Sequence, residues 1–267
     1  TISSTLAPPV LIINPQCLSD LENKVSQYRM TFDYHTHTTF SHGKGSIEDN
    51  VKVAISKGLK ALAISDHGPG HLTYGVKRSA IPVMRAEIDR LKEVYPEIDL
   101  YLSVEANVLN CGNHVDVNAE DLKYLDFLHA GYHYGVLHGY CVGNWLDFRH
   151  AYPESWGKKM LVKNTDMCVK CIYENDLKIF THPGDKGRFD IAEIAKACED
   201  KGTWLEINMK HPFLDYEGIK TASKYDVSFV ISSDAHRPEN VGLYEGGLGR
   251  AYIARLDFDR IVNIEHI

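Results

Sequence analysis

The feature that most constrains this chain is a rhythm. Short runs rich in β-branched residues and Leu recur between stretches with helical periodicity. The runs are TFDYH (31–35), ALAIS (61–65), DLYLSVEAN (99–107), LDFLHAGYH (125–133), KIFTH (178–182), TWLEIN (203–208) and VSFVISS (227–233). Their apolar residues do not alternate cleanly with polar ones, so each run reads as a strand buried on both faces. Between them lie the helical stretches SIEDNVKVAISKG, IPVMRAEIDRLKEVY, a stretch over 158–175, DIAEIAKACEDKG and EGIKTASKYD. Ser46 with Asp49 three residues on marks a helix start, and Gly58 marks its stop. Strand–helix units of this size imply parallel strands with helical crossovers. Seven such strands favour an α/β barrel over a sandwich.

The rhythm begins after Met30. Residues 1–30 are therefore expected to be an N-terminal extension (natural, a fusion remnant or an over-long start), and 31–267 a single barrel domain. The first residues lack a basic start and their apolar run is broken by Pro8 and Pro9, so they do not read as a secretory signal. No apolar run reaches the roughly 18 residues expected of a membrane-spanning helix. Six scattered cysteines are too sparse for a disulfide scaffold, which points to a reducing, cytoplasmic setting. Cys168 and Cys171 form the one CxxC, inside a helical pattern, and are expected to be structural. A net charge of −7 argues against a nucleic-acid partner but leaves a small phosphorylated substrate open.

One segment breaks the rhythm. Residues 134–157 carry six aromatic residues and no clear period. They read either as a lid or substrate-selecting wall, or as a hydrophobic tuck or subunit contact.

The chemistry lies at the carboxyl ends of the strands, which in a parallel α/β architecture face one crevice. In order they supply His35 and His37, then Asp66 and His67, Glu105, His133, His182, and Asp234 with His236. His42 follows in the first loop. Imidazoles and carboxylates of this kind hold zinc, manganese or iron, and a carboxylate such as Glu105 can bridge two ions. Seven histidines and two acids exceed the needs of one tetrahedral site. The surplus suggests two or three metals clamping both attacking and leaving oxygens in phosphoryl transfer. His71, His114, His129, His138, His150, His211 and His266 receive no firm role.

Taken together, HTHT after Tyr34, SDH at 65–67, EAN at 105–107, AGYH at 130–133, THPG at 181–184 and SSDAH at 232–236 resemble the PHP (polymerase and histidinol phosphatase) family. ISDHGPG and VEAN are most similar to its stand-alone trinuclear-zinc phosphatases. The resemblance implies an α/β fold, a distorted (β/α)7 TIM-like barrel with the metal site at the C-terminal strand ends. It also implies three divalent transition-metal ions, foremost zinc, with manganese or iron as alternatives. One would be held by His35, His37, Glu105 and Asp234, a second by Glu105, His133 and His182, and a third by His42, His67 and His236. One departure from the family is a shortened interval between His37 and His42.

On this basis the expected activity is hydrolysis of a small organic phosphate monoester by a metal-activated water. Asp234 is expected to orient that water, with His236 and Asp66 as further catalytic candidates. Asp66 would either support the His67 imidazole or cap the following turn. Lys186, Arg188 and Arg237 are the candidate phosphate-binding cations, and His71 and Arg78 are comparable positions. Alternatives are histidinol-phosphate phosphatase and, from another class, a non-catalytic metal-binding or regulatory domain. Asp66-His67 stands where histidinol-phosphate relatives commonly carry Glu-His. A homo-oligomer is compatible with this reading.

Overall fold

The protein is described here by a computed structural model covering residues 15–151 and 153–267. Its strands are β1 (Tyr28–Met30), β2 (Phe32–Asp33), β3 (Ala61–His67), β4 (Asp99–Asn107), β5 (Leu128–Gly131), β6 (Leu177–Phe180), β7 (Trp204–Asn208), β8 (Phe229–Ser232) and β9 (Ile264–His266). Its α-helices are α1 (Pro15–Val25), α2 (Ile47–Ser56), α3 (Ile81–Val94), α4 (Ala119–Leu122), α5 (Cys141–Phe148), α6 (Glu154–Glu174), α7 (Ile191–Lys201), α8 (Tyr216–Ala222) and α9 (Glu245–Ile253). Strands β2 to β8 form one parallel sheet in chain order. This is the architecture the buried, non-alternating runs imply.

The sheet curls into a nearly closed barrel. Thr36 and Ala235 form a parallel bridge across the seam, with His37 N donating to Ala235 O at 2.8 Å. Strand β2 is only two residues long, so polar side chains satisfy the remaining backbone groups there. The Asn263 amide donates to Phe32 O at 2.9 Å and Ile231 O at 2.6 Å, and accepts from Ile231 N at 3.0 Å. Buried Asp33 accepts from Gly242 N at 2.9 Å and from the Ser233 hydroxyl.

Helix α2 begins with the capping box read from the sequence: Asp49 N donates to Ser46 Oγ at 3.1 Å, and Ser46 N donates to Asp49 Oδ2 at 2.9 Å. Strand β4 spans the residues expected. Strands β5 and β6 stop short of His133 and His182, because the chain turns out of the ladder where those residues enter the crevice. Residues 15–30 also pack on the fold: β1 pairs antiparallel with β9, and α1 lies on α9.

Part of the aperiodic 134–157 segment is helical, as α5 and the start of α6. Periodicity missed α5 because its pattern is inverted. It buries Asn144 and Asp147 while Val142, Trp145 and Phe148 point outward. Asn144 is satisfied by donating to Tyr132 Oη at 2.7 Å and Asn164 Oδ1 at 2.9 Å. Cys168, Cys171 and Cys198 are buried free thiols in α6 and α7, packed in the apolar core. The CxxC is thus structural. Among the described residues no helix is long and apolar enough to cross a membrane.

Candidate metal centre

The strand ends bring all nine candidate ligands into one crevice. Glu105, at the end of β4, sits at its centre. Its Oε1 accepts from Thr181 Oγ1 at 2.6 Å and lies 2.7 Å from His182 Nε2. Its Oε2 has no hydrogen-bond partner although it is buried. Around that atom stand His67 Nδ1 at 3.0 Å, His35 Nε2 at 3.3 Å, His133 Nε2 at 3.3 Å and His37 Nε2 at 3.7 Å. Gly131 makes this crowding possible. A methyl there would overlap Thr181 Oγ1 and lie 3.1 Å from Glu105 Oε1.

Asp234 closes the crevice from the β8 side. Its Oδ1 is also buried without a hydrogen-bond partner, 3.1 Å from His37 Nε2, 3.2 Å from His236 Nδ1 and 3.8 Å from His35 Nε2. Ring nitrogens face one another at 3.1 Å in the His35–His37 pair and 3.2 Å in the His133–His182 pair. Two buried carboxylate oxygens without hydrogen-bond partners, ringed by imidazole nitrogens, are what a cation resolves. The donor set therefore fits metal ions. Three compact groups recur: His35–His37–Asp234, His67–Glu105–His133 and His37–His67–His236. His182 and His42 fall outside those three groups. His182 lies against Glu105, whereas the His42 ring stacks on His67 at 4.9 Å and on Tyr74 at 4.4 Å.

Electrostatics agree with this picture. Burial pushes His67 down to about 3 and His133 to about 4, so both offer neutral, ligating nitrogens. Burial also opposes charge on His35, but Glu105, Glu206 and Asp234 outweigh it and raise that imidazole well above its usual range. The floor of the crevice thus demands positive charge. Two residues here adopt left-handed backbone despite carrying side chains, His182 at φ 29° and Asp234 at φ 51°. Such strain persists where the surroundings enforce it, commonly at functional sites.

Several supporting residues escaped the sequence reading. Glu206, on β7, accepts from His35 Nδ1 at 2.7 Å with Oε1, and from His182 N at 2.7 Å with Oε2. It orients His35 so that Nε2 faces the crevice. A buried acid among TWLEIN residues was the only available signal. Lys210 Nζ lies 2.8 Å from His236 Nδ1. With Lys186, His71, Tyr74, Tyr134 and His211 it lines a cavity of about 270 Å³ above the cluster.

Four expectations are corrected. Asp66 supports no imidazole: its carboxylate points away and accepts from Thr38 N at 2.8 Å, Thr38 Oγ1 at 2.5 Å and the Ser41 hydroxyl. Successive strand residues face opposite sides, so Asp66 braces the loop carrying His42 while His67 enters the crevice. Arg188 does not line the cavity above the cluster, because Asp147 at 2.8 Å and Glu154 at 2.7 Å hold its guanidinium. Arg237 does not line it either; its side chain is 62 % exposed and lies 3.7 Å from Glu239. Arg78 likewise is engaged elsewhere, by Asp121 and by Asp116 O at 2.7 Å. His129 is buried and lies within hydrogen-bond reach of Tyr34 O at 2.8 Å.

A parallel barrel with a histidine–carboxylate cluster beneath an open, lysine-lined cavity defines a metal-dependent phosphoesterase, a hydrolase. The PHP domain family model matches residues 33–210, and the chain belongs to that family. A probable phosphatase of Shewanella sp. strain MR-4 is 27% identical over 248 residues, covering 86% of each chain. A probable phosphatase of Acetivibrio thermocellus is 24% identical over 227 residues, covering 81% of this chain and 84% of that one. Among solved structures, a histidinol phosphate phosphatase of Lactococcus lactis, in complex with zinc, L-histidinol and phosphate, superposes with a TM-score of 0.58. It is 16% identical and covers 84% of this chain and 92% of its own, a likeness of fold.

Proposed function

We propose that the crevice binds up to three divalent ions, foremost zinc, and hydrolyses a small phosphate monoester. The observation that carries this is the set of buried, unpartnered acceptors, Glu105 Oε2 and Asp234 Oδ1, ringed by imidazole nitrogens under an open cavity. His35, His37, Glu105 and Asp234 would hold one ion, Glu105, His133 and His182 a second, and His42, His67 and His236 a third. Bound there, such ions supply Lewis acidity toward phosphate oxygens and make water acidic enough to attack at neutral pH.

The chain's own groups do the rest. Asp234 is kept ionised: burial opposes its charge, but His35, His236 and His37 hold it well below the usual carboxylate range. It therefore orients the attacking water through Oδ1 rather than storing a proton. Lys186 and Lys210 line the cavity and serve as point charges for phosphate oxygens. Thr181, Glu206 and Asn208 fix the carboxylates and imidazoles, so little reorganisation accompanies the reaction. A regulatory metal-binding domain would have no need of a lysine-lined cavity over its cluster. Buried unpaired thiols suit a reducing cytoplasm.

The test is turnover of a monoester panel, p-nitrophenyl phosphate and histidinol phosphate included, by wild type, chelated protein and His182→Ala. Histidinol phosphate belongs there because the Lactococcus lactis structure of the same fold holds L-histidinol and phosphate. Turnover that chelation and the substitution abolish supports the reading. Turnover indifferent to both refutes it.

A further inference from the structure

Beside the metal-side cavity lies a second one, of about 320 Å³, and Tyr134 and Lys186 line both. We infer that this second cavity receives the leaving group of the substrate, and that the group carries a planar ring. The inference rests on the phosphomonoesterase reading and narrows its substrate class.

Three observations point to a ring. First, Phe148 and Phe213 line the cavity while remaining 66% and 52% exposed, so two phenyl rings border it and are open to a ligand. Aromatic side chains reward an offset-stacked or edge-on ring more than a flexible aliphatic chain. Second, Tyr134 lines both cavities, and its Oη is buried without a hydrogen-bond partner. It can hydrogen-bond a heteroatom of the leaving group. Third, the two carboxylates of the lining already have cationic partners, Arg188 at 2.8 Å from Asp147 and Lys186 at 2.5 Å from Asp185, so neither is free to recruit a cationic leaving group.

The wall is built to stay in place. Arg188 ties α5 to the start of α6 through Asp147 and Glu154. Gly184, at φ +95°, has the left-handed backbone that side chains disfavour, and a Cβ there would lie 3.2 Å from Phe213 O. The loop carrying Phe213 therefore packs directly against the loop after β6. Periodicity could not reveal this surface, because α5 turns its apolar residues outward.

The experiment compares phenyl phosphate with glycerol 2-phosphate on metal-loaded wild type, Phe213→Ala and Phe148→Ala. The ratio of kcat/KM for the two substrates should favour phenyl phosphate in wild type and fall roughly tenfold in each variant. A ratio that both variants leave unchanged overturns the inference while leaving the phosphatase reading intact. Calorimetry with benzylphosphonate and methylphosphonate gives a readout independent of turnover. Tighter binding of the benzyl compound, lost in Phe213→Ala, supports the subsite even if neither ester is hydrolysed. Equal binding of the two overturns it.

Discussion

Glu206→Gln isolates the support of a single imidazole. The wild-type carboxylate is fully buried and accepts three hydrogen bonds: from His35 Nδ1 at 2.7 Å, from His182 N at 2.7 Å and from Asn208 Nδ2 at 2.8 Å. Burial opposes its charge, but His35 and His182 hold it below the usual carboxylate range. A glutamine has the same shape but only one acceptor oxygen. If that oxygen keeps His35, the amide N–H₂ confronts the His182 N–H and the Asn208 amide. If the amide turns the other way, its oxygen meets those two donors and its N–H₂ confronts His35 Nδ1. It then forces the ring proton onto Nε2, the nitrogen that faces Glu105 and Asp234.

Either orientation leaves a buried donor unmet, which costs roughly 1–3 kcal/mol of folding stability. The second orientation also removes a ligating lone pair, and loss of such support typically weakens metal affinity about 10–100-fold. Chemical denaturation of metal-free protein reads the first cost, and zinc titration against a competing chelator reads the second. Turnover of p-nitrophenyl phosphate should recover at excess metal, since the ligand itself remains. Wild-type zinc affinity in Glu206→Gln would show that His35 does not depend on Glu206, and would remove it from the proposed site.

Other perturbations test other parts. Gly131→Ala should destabilise the fold by about 1–3 kcal/mol through overpacking and abolish metal loading, because its methyl meets Thr181 Oγ1 and His182 Cε1; a loaded, active variant would contradict the packing seen at Glu105. Lys210→Met should lower kcat/KM about 10–100-fold, as expected for a lost charged hydrogen bond, and weaken inhibition by inorganic phosphate in parallel. His129, held down to about 4 mainly by burial from an ordinary value of 6.5, gives a pH signature. Between those values the unfolded chain binds a proton that the folded one refuses, so stability falls as pH drops through that window, by up to about 3 kcal/mol. Denaturation at pH 7 and pH 4 should show a smaller loss in His129→Gln than in wild type; equal losses would assign the acid sensitivity to other groups.

The barrel was legible because its strands are hydrophobic on both faces, a pattern few other folds need. The candidate ligands converge because parallel strands all end on one side, so type and order sufficed to bring His35, His37, Glu105, His133, His182 and Asp234 together. Proximity in sequence was a poor guide to the cations. Arg188 and Arg237 follow site residues closely but leave the cavity, one drawn into ion pairs and the other into solvent, whereas Lys210 enters from beyond β7. Asp66 misled for a simpler reason, since a neighbour of a ligand on a strand points the other way. Helix α9 was missed because EGGLGRAYI carries three glycines; Gly247 is needed where a Cβ would lie 2.8 Å from Ile231 Cγ2.

The buried acceptors of Glu105 and Asp234 are proposed to hold metal. The most direct measurement is anomalous diffraction at the zinc edge from zinc-loaded crystals, with elemental analysis of the same protein. About two to three ions should appear, bounded by Glu105 Oε2, Asp234 Oδ1 and the imidazoles around them. Zinc-free density between those groups, or ions bound only elsewhere on the surface, would contradict the account.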